Sequence, residues 1–202
     1  MLLAIALSLP AVQTRLGGYA TEWINEEYGT DINVERVAIT AFGGVKLKTV
    51  TIRDHHKDTL IFASRIQTNI LSFRKLYSGD LLFGDLRLDN VLFNIKTYKG
   101  ERDSNFDRFV RLFDTNTPSQ KKFLMEANNI YISSGRFMLS VENSTGAKKT
   151  FDFTGLDAEL NDFKILGPDI SANIAQMTFQ DFRGLFVKNL AANFTYTKTS
   201  IQ

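Results

Sequence analysis

Apolar and polar positions divide the chain into a short helical beginning and a long β remainder. An apolar run from Leu2 to Leu9 breaks at Pro10, and from Ala11 to Tyr28 apolar side chains recur every three or four residues. That spacing is typical of a helix with one apolar stripe. From Asp31 onward the alternation typical of β-strands dominates, and no second long helical pattern follows. The sequence therefore predicts a mainly β protein.

The apolar run at the start is too short to cross a bilayer by itself. A spanning helix needs about 20 apolar residues, and no Lys or Arg precedes Arg15 to form the basic region of a secretory signal. We interpret residues 1–9 as part of a longer membrane anchor, and an ordinary N-terminal core helix is the alternative. The anchor side chains are Leu2, Leu3, Ile5, Leu7 and Leu9.

Residues 10–28 are predicted to form an amphipathic helix that bends away from the anchor at Pro10. Proline lacks the N–H donor for the preceding turn, and its ring crowds the carbonyl four residues back. The apolar stripe consists of Val12, Leu16, Tyr19, Ala20, Trp23 and Ile24. We expect this stripe to pack across the open end of the β structure. A helix lying flat on a membrane surface is the alternative.

The strand predicted over residues 45–52 changes its alternation half-way along. Two apolar pairs in it have opposite parity, namely Val45 with Leu47 and Val50 with Ile52. Because successive side chains in a strand point to opposite faces, a bulge near Lys48–Thr49 is needed to keep both pairs on one face. A bulge would also bend the sheet.

A pattern of strand, polar step and strand recurs further along the chain. Residues 86–95 and 130–139 share it, with a Phe at the same place, and looser copies lie at residues 156–165 and 185–196. Inexact repeats of this kind are typical of an elongated β array. We predict that alternate apolar residues of the first two copies face one continuous concave surface. They are Leu86, Leu88, Phe93, Ile95, Ile130, Ile132, Phe137 and Leu139.

Short helices are predicted as insertions in this array. Ser72 is placed to cap one helical turn that ends at Gly79. Between the first two copies, residues 104–114 carry Phe106, Phe109, Val110 and Phe113 on one helical face, so a helix here would cover part of the apolar surface. The array continues to residue 202 without a capping element. Residues 30–202 are thus predicted to form an elongated, curved and open β-sheet that is incomplete at its C-terminal end.

Composition narrows the functional classes. The net charge is only +2 with both signs interspersed, which disfavours a nucleic-acid partner. The chain has no cysteine, so disulfides, thiolate metal sites and cysteine nucleophiles are excluded. Phe supplies 17 residues, against 6 Tyr and 1 Trp. Because Phe is the aromatic residue without a polar group, this bias indicates a large, dry apolar face.

The candidates for catalysis and metal binding are weak. His55 and His56, with Asp54 and Asp58, offer zinc ligand types, but adjacent residues of an extended chain point in opposite directions, so a solvated turn is the favoured interpretation. No G-x-S-x-G elbow and no phosphate-binding glycine loop is present. We therefore expect a non-enzyme without catalytic residues, metal or cofactor. A hydrolase acting on envelope lipids is the least favoured hypothesis.

Several short motifs in the first half of the chain carry a family resemblance. They are Leu9-Pro10-Ala11-Val12-Gln13-Thr14, Tyr19-Ala20-Thr21, Gly29-Thr30-Asp31-Ile32, Asp54-His55-His56, Asp58-Thr59-Leu60, Phe83-Gly84-Asp85, Phe93-Asn94 and Lys96-Thr97-Tyr98-Lys99-Gly100-Glu101. Through them the chain resembles TamB-type translocation and assembly proteins of Gram-negative bacteria, within the AsmA-like group. The likeness extends over about residues 9–113, and the chain is far shorter than such proteins.

The resemblance implies a fold, a place and a function. The fold is a β-taco, an open trough held in the inner membrane by a single N-terminal anchor and extending through the periplasm. Its apolar lining would take up phospholipid acyl chains and conduct lipid towards the outer membrane. An outer-membrane barrel protein of the TamA-related family would hold the missing C-terminal part. A scaffold for outer-membrane protein assembly, working by strand augmentation, is the alternative.

Overall fold

Three helices and eight strands make up the described part of the computed structural model, residues 10–40, 43–114, 122–143 and 146–197. In chain order they are α1 (Pro10–Tyr28), β1 (Asp31–Ile39), β2 (Gly44–Arg53), β3 (Thr59–Asn69), α2 (Phe73–Tyr77), β4 (Asp80–Thr97), α3 (Asn105–Arg111), β5 (Leu124–Asn143), β6 (Gly146–Leu166), β7 (Asp169–Asp181) and β8 (Phe186–Tyr196). The five residues predicted to belong to a membrane anchor, Leu2, Leu3, Ile5, Leu7 and Leu9, lie outside the described residues.

All eight strands belong to one open sheet whose order follows the chain from β1 to β8. Neighbouring strands are antiparallel except β4 and β5, which are parallel. A parallel pair cannot be joined by a tight turn, so the chain crosses back from β4 to β5 through a long connection that contains α3. The prediction of a mainly β protein with an open sheet is confirmed.

One buried apolar cluster is built from strand residues in the described part of the chain. Its buried members are Val50, Ala63, Leu86, Val91, Ala127, Ile130, Ile132, Leu156, Ala158 and Phe179. They come from β2 to β7 and share one face of the sheet, which we call the inner face. The buried apolar cluster therefore lies on the inner face of the sheet.

The inner face stays apolar along β2, β4 and β5 because the alternation of each strand changes phase at one level of the sheet. Thr49 in β2, Asn90 in β4 and Ser134 in β5 have left-handed backbone conformations, with φ of 51°, 49° and 56°. Leu47 and Val50, three residues apart on either side of Thr49, consequently both contribute to the inner face. We call this line across the sheet the crease.

The bulge predicted at Lys48–Thr49 is absent, and the left-handed residue Thr49 stands in its place. Lys48 pairs with Arg36 and Val50 pairs with Val34, so no extra residue is inserted in β2. At Thr49 a left-handed residue turns the chain enough to repeat a face without an insertion, and the ladders of β2 with β1 and β3 keep their register at this level. The phase change itself was predicted correctly, but its mechanism was not.

Local hydrogen bonds fix the crease. The Asn90 side-chain amide donates to Ser64 Oγ at 3.2 Å, and that hydroxyl donates to the carbonyl of Asp89 at 2.9 Å. On the next strand the Ser134 N–H donates to Asp157 Oδ1 at 2.8 Å. Asn tolerates the left-handed region better than most residues, whereas the β-branched Thr49 is strained there.

Helix α1 covers the free edge of β1. The Asn25 side chain mimics a neighbouring strand, because its Nδ2 donates to the Ile32 carbonyl at 2.8 Å and its Oδ1 accepts from the Ile32 N–H at 2.9 Å. Tyr19 and Trp23 are exposed, so the expected packing of the apolar stripe is wrong for these two side chains. Helix α1 contacts the edge of β1 through the side chain of Asn25, a polar residue that is not part of the apolar stripe.

Relieving the strain at the crease is expected to stabilise the protein. Thr49→Gly should raise the free energy of unfolding by about 1 kcal/mol, since glycine adopts a positive φ without steric cost. Thr51→Gly is the matched control two residues along the same strand, and it should lower the free energy of unfolding by about 1 kcal/mol. Urea unfolding followed by circular dichroism measures both. A loss of stability in both variants would contradict a left-handed Thr49.

Candidate functional site

The parallel pairing of β4 and β5 brings the eight predicted surface residues together in pairs. The pairs are Leu86 with Ile130, Leu88 with Ile132, Phe93 with Phe137, and Ile95 with Leu139. Leu86, Ile130 and Ile132 are buried in the apolar cluster, and Leu88 and Phe93 pack against it. Ile95 and Leu139 are partly exposed. The similarity between the two sequence segments thus corresponds to adjacent strands in register.

A row of phenylalanines crosses the inner face from β4 to β7. Phe93 pairs with Phe137, whose ring stacks on Phe153 with centroids 5.7 Å apart, and Phe153 stacks on Phe179 at 4.1 Å. The sequence interpretation missed Phe153 and Phe179, because both lie outside the segments chosen as looser copies. Their alternation with polar neighbours was the signal that could have placed them.

The inner face remains apolar on β8, where it is exposed. Leu190 pairs with Met177, Ala192 with Ile174 and Phe194 with Ala172, and residues paired across two strands point to the same face. Met177 packs against the apolar cluster, so the Leu190 pair lies on the inner face. Ile174 also pairs with Leu160, another residue packed against the cluster, which places Ala192 on the same face. Phe194, two residues beyond Ala192, is 42% exposed.

A second exposed phenylalanine on β8 points the other way. Phe186 is 57% exposed and pairs with Gln180. Its neighbour Val187 packs against the apolar cluster, and adjacent side chains of a strand point to opposite faces. Strand β8 therefore presents one exposed phenylalanine on each face of the sheet.

Helix α3 covers the inner face at one end of β8. The rings of Phe106 and Tyr196 lie 5.5 Å apart, and the Tyr196 hydroxyl donates to Asp107 Oδ1 at 2.7 Å. Burial and this bond to a carboxylate raise the pKa of Tyr196. The predicted insertion of a helix over part of the apolar surface is confirmed at this contact.

A polar arrangement occupies the turn between β2 and β3. Asp54 is buried, and its Oδ1 accepts from the N–H groups of His56 at 2.9 Å and Asp58 at 3.1 Å. Its Oδ2 accepts from the Tyr98 hydroxyl at 2.7 Å and from Asn105 Nδ2 at 2.8 Å. Burial opposes ionisation of Asp54, but these four hydrogen bonds outweigh it and lower its pKa. The carboxylate therefore holds the turn and is not free to bind a metal.

Both histidines of this turn approach one carboxylate from the connection that follows β4. His55 Nε2 lies 3.0 Å and 3.1 Å from the two Glu101 oxygens, and His56 Nε2 lies 2.9 Å from Oε1. Arg108 of α3 reaches Glu101 Oε2 at 3.3 Å. We call His55, His56 and Glu101 the histidine–glutamate cluster. The sequence interpretation missed Glu101, because only the crossover connection brings it to the turn.

Asn105 joins this turn to the edge of β4. Its Oδ1 accepts from the Lys96 N–H at 2.9 Å, and its Nδ2 donates to the Asn94 carbonyl at 3.1 Å as well as to Asp54. The side chain is 1% exposed. It takes the place of a neighbouring strand at the level of β4 that lies beyond Thr59, the first residue of β3, so it satisfies backbone groups that would otherwise be buried without partners.

Comparison of the sequence with protein-family profiles and with curated proteins finds no match. Within residues 10–40, 43–114, 122–143 and 146–197, no helix is both long enough and apolar enough to cross a membrane.

The contribution of Asp54 to the free energy of unfolding is expected to depend on pH. Because the folded-state pKa of Asp54 lies below the ordinary value of 3.8, its contribution is present above that value and is lost as the pH falls through the lower folded-state pKa. Asp54→Asn should lower stability at pH 7 and flatten the loss of stability below about pH 4. Urea unfolding from pH 2 to pH 7 measures this. Asp162→Asn, at an exposed position, is the control and should leave the profile unchanged; an unchanged profile in Asp54→Asn would contradict the assignment.

Proposed function

We propose that the inner face of the sheet binds the acyl chains of phospholipid and conducts lipid along a trough, without catalysis. The observation that carries the proposal is the continuity of this face, which is apolar from β2 to β8 and becomes exposed on β8. Exposed apolar surface that is continuous with a core is typical of a binding surface for apolar partners. An acyl chain is such a partner.

The chemistry of the face suits hydrocarbon. The row formed by Phe93, Phe137, Phe153 and Phe179 has no hydrogen-bonding group in its side chains. A polar ligand placed there would lose its hydrogen bonds to water without replacement, which costs several kcal/mol per group. An acyl chain has no such groups, so it can replace water along the row without that loss.

The middle of the inner face is already covered by its own side chains. Leu86, Ile130 and Leu156 are buried within the cluster. Acyl chains would therefore enter at the exposed part on β8, where Phe194 lies, and the partly exposed Phe93 and Phe137 would extend the path. In this proposal the trough is the part of the inner face that lies nearest β8.

The cellular setting of the proposal rests on the resemblance of residues 9–113 to TamB-type proteins. A membrane anchor that includes residues 1–9 would hold the chain in the inner membrane of a Gram-negative bacterium. The β portion would lie in the periplasm and pass phospholipid towards the outer membrane, where a barrel protein related to TamA would be its partner.

The free edge of β8 favours a second candidate function. In the described part of the chain no strand pairs with the side of β8 that faces away from β7. Such an edge offers backbone donors and acceptors to an incoming strand. A scaffold that guides outer-membrane proteins by strand augmentation would use this edge and would not require lipid on the inner face.

Photocrosslinking on β8 tests the lipid proposal. A photoreactive phenylalanine analogue at position 194 should crosslink phospholipid in cells, whereas the same analogue at position 186 should not, because the two exposed rings lie on opposite faces. Phe194→Glu should reduce copurified phospholipid several-fold, and Phe186→Glu should leave it unchanged. Both side chains are exposed, so the substitutions are expected to spare the fold.

Equal lipid crosslinking from positions 194 and 186 would contradict the proposal, since it would show contact with bulk membrane and no preference for the inner face. Crosslinking from position 194 to polypeptide alone would favour the scaffold.

A further inference from the structure

The histidine–glutamate cluster has the composition and convergence of a transition-metal site. His55, His56 and Glu101 each offer one ligand atom, an imidazole nitrogen or a carboxylate oxygen, and these three atoms all lie within 4.8 Å of one another. Two imidazoles and one carboxylate are a common protein ligand set for zinc when the ion keeps an open coordination position. The set differs from the one that the sequence suggested, because Glu101 takes the place of Asp54 and Asp58.

The spacing of the ligand atoms is close to what zinc requires. Ligands about 2.0 to 2.2 Å from a tetrahedral zinc ion are separated from one another by about 3.3 Å. The two histidine nitrogens lie 2.9 to 3.1 Å from the nearest Glu101 oxygens. An outward shift of a few tenths of an ångström would open two edges of the ligand triangle to the separation that an ion needs.

The turn holds both histidines on the same side, against the usual divergence of adjacent residues. Lys57 adopts a left-handed conformation with φ of 66°, and its N–H donates to the Asp54 carbonyl at 2.9 Å, which closes a tight turn. Both imidazole rings then pack on Tyr98, with centroids 5.6 Å away for His55 and 3.9 Å away for His56. The ligands are therefore oriented before any ion arrives.

The surrounding charges are compatible with an ion. The side chains of His55, His56 and Arg108 converge on the Glu101 carboxylate. Arg108 contacts Oε2, which leaves Oε1 available to an ion bound through one oxygen. An outer partner of this kind orients a ligating carboxylate.

We propose that His55, His56 and Glu101 bind a divalent transition metal of the zinc class and that the ion ties the β2–β3 turn to the connection after β4. The connection also supplies Asn105 and α3 to the edge and inner face of the sheet. The ion would thus secure the covering helix from outside the apolar surface.

Titration of the purified full chain with Co²⁺ and Zn²⁺ tests this site. Co²⁺ should bind at one equivalent with the visible absorption of a low-symmetry centre that includes nitrogen ligands, Zn²⁺ should displace it, and Zn²⁺ should raise the melting temperature. Glu101→Gln keeps an oxygen acceptor for the histidines but removes the anionic ligand, so it should weaken binding at least tenfold. Glu126→Gln, whose carboxylate pairs with Lys164, removes the same charge elsewhere and should bind as the parent chain does.

Two results would overturn the proposal. One is a folded parent chain that binds neither metal at micromolar concentration, which would mean that the cluster is held by hydrogen bonds alone. The other is undiminished binding by folded Glu101→Gln. Should that variant fail to fold, His56→Asn carries the same test, since the His56 side chain is 46% exposed. Undiminished binding there would equally reject the site.

Discussion

A single layer of eight strands can bury one apolar face only when every strand keeps its apolar residues on the same side. In β2, β4 and β5 that constraint is met at the crease, where Thr49, Asn90 and Ser134 reset the alternation at one level. Without the reset, half of each long strand would turn its apolar residues to the other face. The phenylalanine row lies on one side of the crease and the buried residues Leu86 and Ile130 lie on the other, and the phase change keeps both sets on the inner face.

An open sheet also leaves two edges, and the chain treats them differently. Asn25 covers the β1 edge with a side-chain amide that takes the place of a strand. Asn105 does the same within the sheet, at the level of β4 that lies beyond the first residue of β3. Backbone groups at these places are thereby satisfied by single residues, at low cost in chain length. The described part of the chain shows no such cover along β8, where the inner face is exposed. The covered edge at β1 and the uncovered edge at β8 are thus the two opposite edges of one sheet.

The sequence predicted the features that depend on local periodicity. Helix α1, the short helices and the phase change near Thr49 follow from spacing that a single strand or helix carries. The similarity of residues 86–95 to residues 130–139 was read as a repeat, and in the structure the corresponding residues of the two segments pair in register on adjacent strands. Features that depend on distant contacts were missed. Glu101 reaches the histidines only because β4 and β5 are parallel and the connection must cross the sheet, and the roles of Asn25 and Asn105 require knowledge of which edges are free.

The central claim is that the inner face of this sheet binds phospholipid acyl chains. Mass spectrometry of lipids extracted from the protein, purified from its native cells without added lipid, tests it most directly. The account predicts phospholipid in at least equimolar amount with the protein. A chain that is folded by circular dichroism and carries no phospholipid above the level of an unrelated protein purified in the same way would contradict the claim.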